Sequence, residues 1–416
     1  MSIGWGLNRW LGGRRPGYRP FMAQTHGTCA SRFSGVRETL EESLEADDVG
    51  ASVAVYLDGE PVVDLWGGYA DAARTTPWQR DSILNTWSTT KTMTALCALI
   101  LADRGDLDLT APVARYWPEF AAAGKQDVEV RHLLSHTAGL PTWDEPMTVA
   151  DLYDWPKATA RLAAQAPRWE PGTQAGYHAV TQGYLDGEVV RRVTGISLGT
   201  FFAREVAGPL GADFHIGLPA EHDGRVIPVI PPPPDQAPTA PGGGTGEAAP
   251  RERGNPPIDP ADANTVAWRR AEIPAAGGHG NARSVGAVQS VLACGGTARG
   301  VRLLSPEGCE RALAEQYRGP DAILGVPMRY GNGYGLHSGW LPNPRTCFWG
   351  GWGGSMVVVD LDARMTVSYV MNRMLDQGGM GDEFKNWSNE THVRIAEYFC
   401  MEYKTRKLVL DRKSVV

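Results

Sequence analysis

Residues 50–71, GASVAVYLDGEPVVDLWGGYAD, place two apolar runs on either side of Asp58-Gly59. An Asp-Gly pair tolerates the positive φ values of a two-residue hairpin turn, so this stretch predicts two adjacent antiparallel strands. Just upstream, RFSGVRETLEESLEA at 32–46 sets Val36, Leu40 and Leu44 on one face with acidic residues between them, the pattern of an amphipathic helix. Far downstream, SMVVVDLDARMTVSYVMNR at 355–373 reads as two more strands around Asp360 to Asp362, and THVRIAEYFCMEY at 391–403 as a closing helix on the same sheet. Helices and antiparallel strands drawn from both ends of the chain give an α+β architecture.

The middle of the chain changes period. From about 92 to 210 the patterns are mostly helical: MTALCALILADRG continues a helix that starts near Ser88 and stops at Gly105, and RHLLSH, VADLYDW, ATARLAAQA and QGYLDGEVVRRVTG supply further short helices. Residues 225–260 then lose all periodicity to proline and glycine, as an ordered lid-like loop or a mobile excursion. The expected organisation is an N-terminal arm at 1–31, an α/β lobe from 32–91 and 275–416, and an inserted helical lobe at 92–274 that includes the 225–260 loop.

Composition narrows the function. The net charge of -7 and the absence of any lysine-rich block argue against phosphate backbones, so nucleic acid is not an expected partner. No segment approaches the roughly 20 apolar residues that cross a bilayer, and the N-terminus has no apolar stretch of signal-peptide length; no membrane association and a cytoplasmic location are the expectations. Cys29, Cys97, Cys294, Cys309, Cys347 and Cys400 are widely spaced and read as free thiols. The nine histidines form no HExxH or comparable spacing, and there is no GxGxxG or Walker-type loop, so neither metal nor cofactor is expected.

The chemistry starts at Ser88-Thr89-Thr90-Lys91. On a helix, residues three apart share a face, so the Lys91 amine can approach the Ser88 hydroxyl. A serine needs a proton acceptor to become a nucleophile, and a lysine serves only where burial or positive surroundings lower its pKa. By itself the pair also reads as a helix cap beside a solvated side chain. Three further segments agree with the chemical reading: RHLLSHTAGLP at 131–141, EPGTQAGYHAVTQGYLDGEVV at 170–190, and the aromatic, glycine-rich CFWGGWGGSMVVVDL at 347–361.

With these four segments in this order, the chain resembles the serine β-lactamase and penicillin-binding-protein superfamily, and looks most like its esterase branch, the family VIII carboxylesterases with a class C β-lactamase-type fold. The similarity runs from about 32 to 400. It implies an antiparallel sheet flanked by helices with an inserted helical lobe. It also implies that Ser88 is the acylated nucleophile, Lys91 its proton partner, and Tyr177, in the place of the family's Tyr-x-Asn tyrosine, a sharer of the base role and donor to the leaving group. Ala179 stands where that asparagine would be. The family's Lys-Thr-Gly strand falls on Trp349-Gly350-Gly351, where tryptophan has no charge for a carboxylate. The backbone amides of Ser88 and Trp352 are the implied oxyanion donors, and Trp349, Gly350, Gly351, Trp352 and His178 the implied pocket. Arg131, His132 and His136 look structural.

The resulting expectation is a serine hydrolase that cleaves carboxylic esters through an acyl-serine, acting on a neutral, fairly apolar small-molecule ester. Three alternatives stay open: an acyltransferase or amide-forming transacylase that passes the acyl group to an amine or alcohol, a β-lactamase or D-peptidase, and a catalytically silent binding protein. The oligomeric state is left open.

Overall fold

Asp58 and Gly59 take φ values of 53° and 83° and turn strand Gly50–Leu57 back into strand Glu60–Gly68. The computed structural model describes residues 24–46, 48–232, 254–337, 341 and 343–374. The expected closing helix at 391–403, most of the N-terminal arm and the middle of the 225–260 loop lie outside these residues.

The hairpin belongs to a nine-stranded sheet in the spatial order 25–29, 60–68, 50–57, 365–371, 356–360, 346–350, 335–336, 327–330, 317–320, with every neighbour antiparallel. Strand Met365–Met371 pairs with Gly50–Leu57, so the two ends of the described chain close one sheet. Alternation along the strands divides the side chains between two layers. Ala51, Val53, Val55, Met356, Val358 and Val367 meet Val36, Leu40 and Leu44 of helix Ser34–Ala46. Ala54, Tyr56, Val357 and Val359 fall in the cluster of Val285, Val288 and Val291, from helix Ala282–Ala293 on the opposite face. Each such aliphatic side chain, fully buried, contributes about 1.5–3 kcal/mol.

One part of the expected arm is instead an edge strand. Residues Thr25–Cys29 pair with Val63 to Gly67. Their sequence, THGTC, carries no apolar alternation because backbone hydrogen bonds hold the strand while most of its side chains face solvent.

Among the described residues, the elements between Thr90 and Arg270 are helical apart from the two-residue strand His215–Ile216, and they form the inserted lobe. Its axis is helix Thr90–Arg104, ended by Gly105 at φ 83° in the left-handed conformation that stops a helix. Every residue from Thr90 to Ala102 is buried, as expected of a helix that is apolar on most sides. Helix Thr181–Thr194 packs against it. The two described ends of the 225–260 stretch are tied to the body: Val226 bridges to Ile83, Ile230 to Arg373, and Asn255 bonds to the backbone of Trp143, Glu145 and Met147.

Candidate active site

Ser88 sits in a single 3-10 turn, Trp87–Thr89, that feeds directly into the buried helix. Trp87 takes φ 49°, a left-handed conformation that costs a bulky residue on the order of 1–3 kcal/mol. The surroundings hold it there: its ring packs edge-on against Trp352 at 4.9 Å and Trp268 at 5.6 Å. The turn presents Ser88 Oγ to two groups. Lys91 Nζ lies 3.1 Å away, and Tyr177 Oη donates to the same oxygen at 2.7 Å.

Lys91 is buried and touches two further partners, the carbonyl oxygens of Ala179 at 2.7 Å and Ala275 at 3.0 Å. Carbonyls only accept, so they take two of the N–H bonds. A neutral amine has two N–H bonds and one lone pair, and here the lone pair is left facing Ser88. Burial pushes the Lys91 pKa well below the usual lysine range, with the Asp186 carboxyl opposing the shift. In the amine form the Ser88 hydroxyl donates to Lys91 and accepts from Tyr177. Asp186 is itself fully buried on helix Thr181–Thr194, with neither carboxyl oxygen hydrogen-bonded among the described residues, and burial drives its pKa well above the carboxylate range.

Tyr177 precedes that helix and is held from outside it. The Asp321 carboxylate, buried, accepts from the amides of Tyr177 at 3.1 Å, Ile323 at 2.9 Å and Leu324 at 2.8 Å, and from Tyr330 Oη at 2.8 Å. Behind the phenol, His136 Nδ1 accepts from the His178 amide at 3.1 Å, and its ring stacks on Trp349. His178 donates from Nδ1 to Gly176 O at 2.6 Å and accepts from the Leu140 amide at 2.9 Å. Burial lowers both imidazole pKa values, His178 to about 3. Neither histidine touches Ser88, in line with the structural role read for His136; His132 caps its own helix by accepting from the Glu129 amide.

The amides of Ser88 and Trp352 make no hydrogen bond within the described residues. Their segments abut. A Cβ on Gly351 would come within 2.3 Å of both Thr86 O and Ser355 Oγ, so only glycine lets this bend close on the Ser88 turn. Ser355 Oγ ties the contact by donating to Thr86 O at 2.7 Å and meeting Thr89 Oγ1 at 3.0 Å.

Ser88 and Tyr177 open onto a cavity of ≈ 130 Å³. Its apolar walls include Trp87, Trp143, Val180, Ile258, Ile323 and Trp352. Of the five residues expected to form the pocket, Trp352 alone lines it. Trp349 faces the opposite way, into a buried cluster with Tyr177 and Tyr330, because its place on strand Thr346–Gly350 aims it behind the phenol. His178 is spent on backbone bonds, and Gly350 and Gly351 serve the bend. Asp321, Ser355, Asp186, Arg168 and Asn255 went unread. Only Asp321 left a local trace, the Asp-x-x turn chemistry of RGPDAILG.

A serine, a buried lysine and a tyrosine converging at the floor of an apolar cavity, with two free amides beside the serine, define a serine acyl-transfer enzyme on a β-lactamase/transpeptidase-type fold. Comparison with known proteins agrees. Residues 36–387 match the family model described as Beta-lactamase. The Esterase/beta-lactamase LipL of Mycobacterium tuberculosis is 38% identical over 345 residues, which span 80% of this chain and 79% of that protein. A crystal structure of a family VIII carboxylesterase is 42% identical with a TM-score of 0.81, covering 91% of this chain and 100% of the other. A penicillin-binding protein homolog from Caulobacter crescentus is 36% identical with a TM-score of 0.78, covering 90% and 98%. The chain belongs to the β-lactamase family, and it is a serine-dependent hydrolase or acyltransferase of the esterase/β-lactamase type. Among the described residues, no side-chain cluster is placed to hold a metal ion and no helix is long and apolar enough to cross a membrane.

Proposed function

We propose that the protein hydrolyses small carboxylic esters, with Ser88 as nucleophile, Lys91 as general base and Tyr177 as the proton donor to the leaving alcohol. The observation that carries this reading is the position of Ser88 Oγ, 3.1 Å from Lys91 Nζ and 2.7 Å from Tyr177 Oη at the floor of an apolar cavity. Ser88 Oγ attacks the ester carbonyl as its proton passes to the Lys91 lone pair. The carbonyl oxygen becomes an oxyanion facing the Ser88 and Trp352 amides. Collapse breaks the C–O bond to the alcohol, which leaves with the proton by way of Lys91 and Tyr177, and Ser88 remains acylated. Water adds to the acyl carbonyl in the second half, giving up its proton to the same pair, and Ser88 recovers one as the acid leaves.

Esters are favoured over amides and lactams with a carboxylate beside the reacting bond by the residues at the two motif departures. Ala179 offers its carbonyl to Lys91 and has no side-chain amide, and Trp349 carries no charge and is packed behind Tyr177. The test is p-nitrophenyl butyrate turnover by wild type and Ser88→Ala, with intact mass of the quenched protein and a competing amine in a parallel reaction. Release of nitrophenol with a butyryl adduct in the wild type and neither in the variant is expected. Turnover by Ser88→Ala at the wild-type rate would overturn the assignment, and amide as the main product would make the protein a transacylase.

A further inference from the structure

The cavity has one feature that ester hydrolysis does not use. Among the described residues lining it, Arg168 alone carries a formal charge. Its main chain is fixed: the Arg168 amide donates to Gly139 O at 2.7 Å, and Gly139 itself, at φ 78°, has no room for a side chain, since a Cβ would lie 2.9 Å from Trp169 O and 3.2 Å from the Arg168 amide nitrogen. The guanidinium donates one hydrogen bond within the described residues, from Nη2 to Asp144 Oδ1 at 3.1 Å. That pair stands at the rim, with side-chain exposures of 39% and 49%, where solvent and salt screen an ion pair. A guanidinium has five N–H donors in a planar fork, so most of its donor capacity is open to a ligand. Asp144 does not line the cavity, and among the described residues no other carboxylate does. A protein of net charge -7 thus has, among its described residues, a single cationic side chain in the lining of its apolar cavity.

We propose that Arg168 is an anion subsite, and that the esters this site prefers carry a carboxylate remote from the scissile carbonyl, which displaces Asp144 as the partner of the guanidinium. The proposal rests on the acyl-serine reading and names its substrate class. Trp143, Val180 and Ile323 supply apolar wall for the rest of such a ligand, and the planar fork accepts a carboxylate through two parallel hydrogen bonds, which an ammonium would not. The carboxylate belongs to either side of the ester bond, and two pairs of probes tell the sides apart.

The experiment measures kcat/KM for mono-p-nitrophenyl adipate against p-nitrophenyl hexanoate, in which the charge lies on the acyl side, and for 4-acetoxybenzoate against phenyl acetate, in which it lies on the alcohol side. Wild type, Arg168→Met and Asp144→Asn are compared, with Ser88→Ala as the control. In at least one pair, Arg168→Met is expected to lower the anionic-to-neutral ratio about tenfold, the scale of one charge-assisted hydrogen bond at a partly exposed site. Asp144→Asn is expected to raise the ratio by freeing the guanidinium, and added salt to lower it in both proteins that keep Arg168 but not in Arg168→Met. A ratio that moves less than twofold in Arg168→Met for both pairs overturns the subsite. So does a fall of the ratio in Asp144→Asn, which would make Arg168 a brace for the Asp144 loop. The Asp144 variant and the salt series decide the matter even if Arg168→Met does not fold. Wild-type turnover of both neutral esters by Ser88→Ala would sink the acyl-serine reading instead, an outcome separate from any change in the ratio.

Discussion

Tyr177 Oη lies 2.7 Å from Ser88 Oγ across 89 residues of sequence, while Lys91 reaches the same oxygen from three residues away. The local contact is a property of one helix. The distant one depends on Asp321 and on the packing that brings the 170–180 segment over the Ser88 turn. Loss of either contact should therefore show in kcat, with different effects on the scaffold.

Ser88→Ala and Lys91→Met should each lower kcat for p-nitrophenyl butyrate by roughly 10⁴-fold or more, since nucleophile and base act as one unit. Tyr177→Phe should lower it by about 10²–10⁴-fold, the range of a lost proton donor. Steady-state kinetics beside thermal melts will separate chemistry from folding; equal kcat in Tyr177→Phe and wild type would remove the phenol from the mechanism.

Lys91 and Asp186 should hide each other in the pH dependence of stability. Folded Lys91 is held below its unfolded pKa, so between the two values the unfolded chain binds the extra proton and stability rises with pH. Folded Asp186 is held above its unfolded pKa, so the folded chain binds the extra proton and stability falls with pH. The two slopes oppose one another. Asp186→Asn should leave a stability that rises as pH climbs toward the unfolded lysine value, and Lys91→Met one that falls as pH climbs away from the unfolded aspartate value, each by up to about 1.4 kcal/mol per pH unit. Urea unfolding at three pH values checks both signs.

Acid should weaken the fold through its buried imidazoles. His178 and His136 are held neutral by burial, His178 at about 3 and His136 well below the usual value. A base with a depressed folded pKa costs stability once pH drops below its unfolded value, near 6.5, and the loss grows until the folded pKa is reached. Stability should thus fall from about pH 6.5 downward, and His178→Asn should make that fall shallower in denaturant titrations.

Asp321→Ala should cost on the order of 3 kcal/mol, because four donors lose a buried acceptor. It should also lower kcat by about 10–100-fold through a displaced Tyr177. Asp321→Asn retains a carbonyl oxygen for the three amides and should recover most of the activity. A variant as unstable as Asp321→Ala but with unaltered kcat would reduce Asp321 to a scaffold role.

Gly351→Ala should inactivate out of proportion to its effect on melting. The added Cβ meets Thr86 O and Ser355 Oγ at 2.3 Å and drives the Trp352 amide away from Ser88. Losing one oxyanion donor costs about 10²–10³-fold in kcat. Stopped-flow acylation rates would show whether the loss falls on the chemical step.

Much of the scaffold was readable along the chain. The Asp58-Gly59 hairpin, the strands around Asp360 and the helix ending at Gly105 follow from turn chemistry and apolar periodicity, which act over a few residues. The edge strand Thr25–Cys29 was not readable, since its bonds are made by backbone alone. Trp349 was placed on the right strand but in the wrong surroundings. A motif locates a strand, whereas the cavity's walls depend on which neighbours fill the space on each face.

The site divides along the same line. Ser88 and Lys91 share a helix face by spacing, so their approach is written in the chain's local geometry. Tyr177 was reached through resemblance in motif order, and its distance to Ser88 belongs to the tertiary structure. Asp321, Ser355, Asp186 and Arg168 acquire their meaning from partners between 24 and 269 residues away, or from burial that no short window contains. Spacing and turn residues act through bonds and short-range sterics. The lowered basicity of Lys91, the free amides at the bend and the cation at the cavity mouth arise from desolvation and close packing, which exist only once the sheet and the helical lobe have closed on one another.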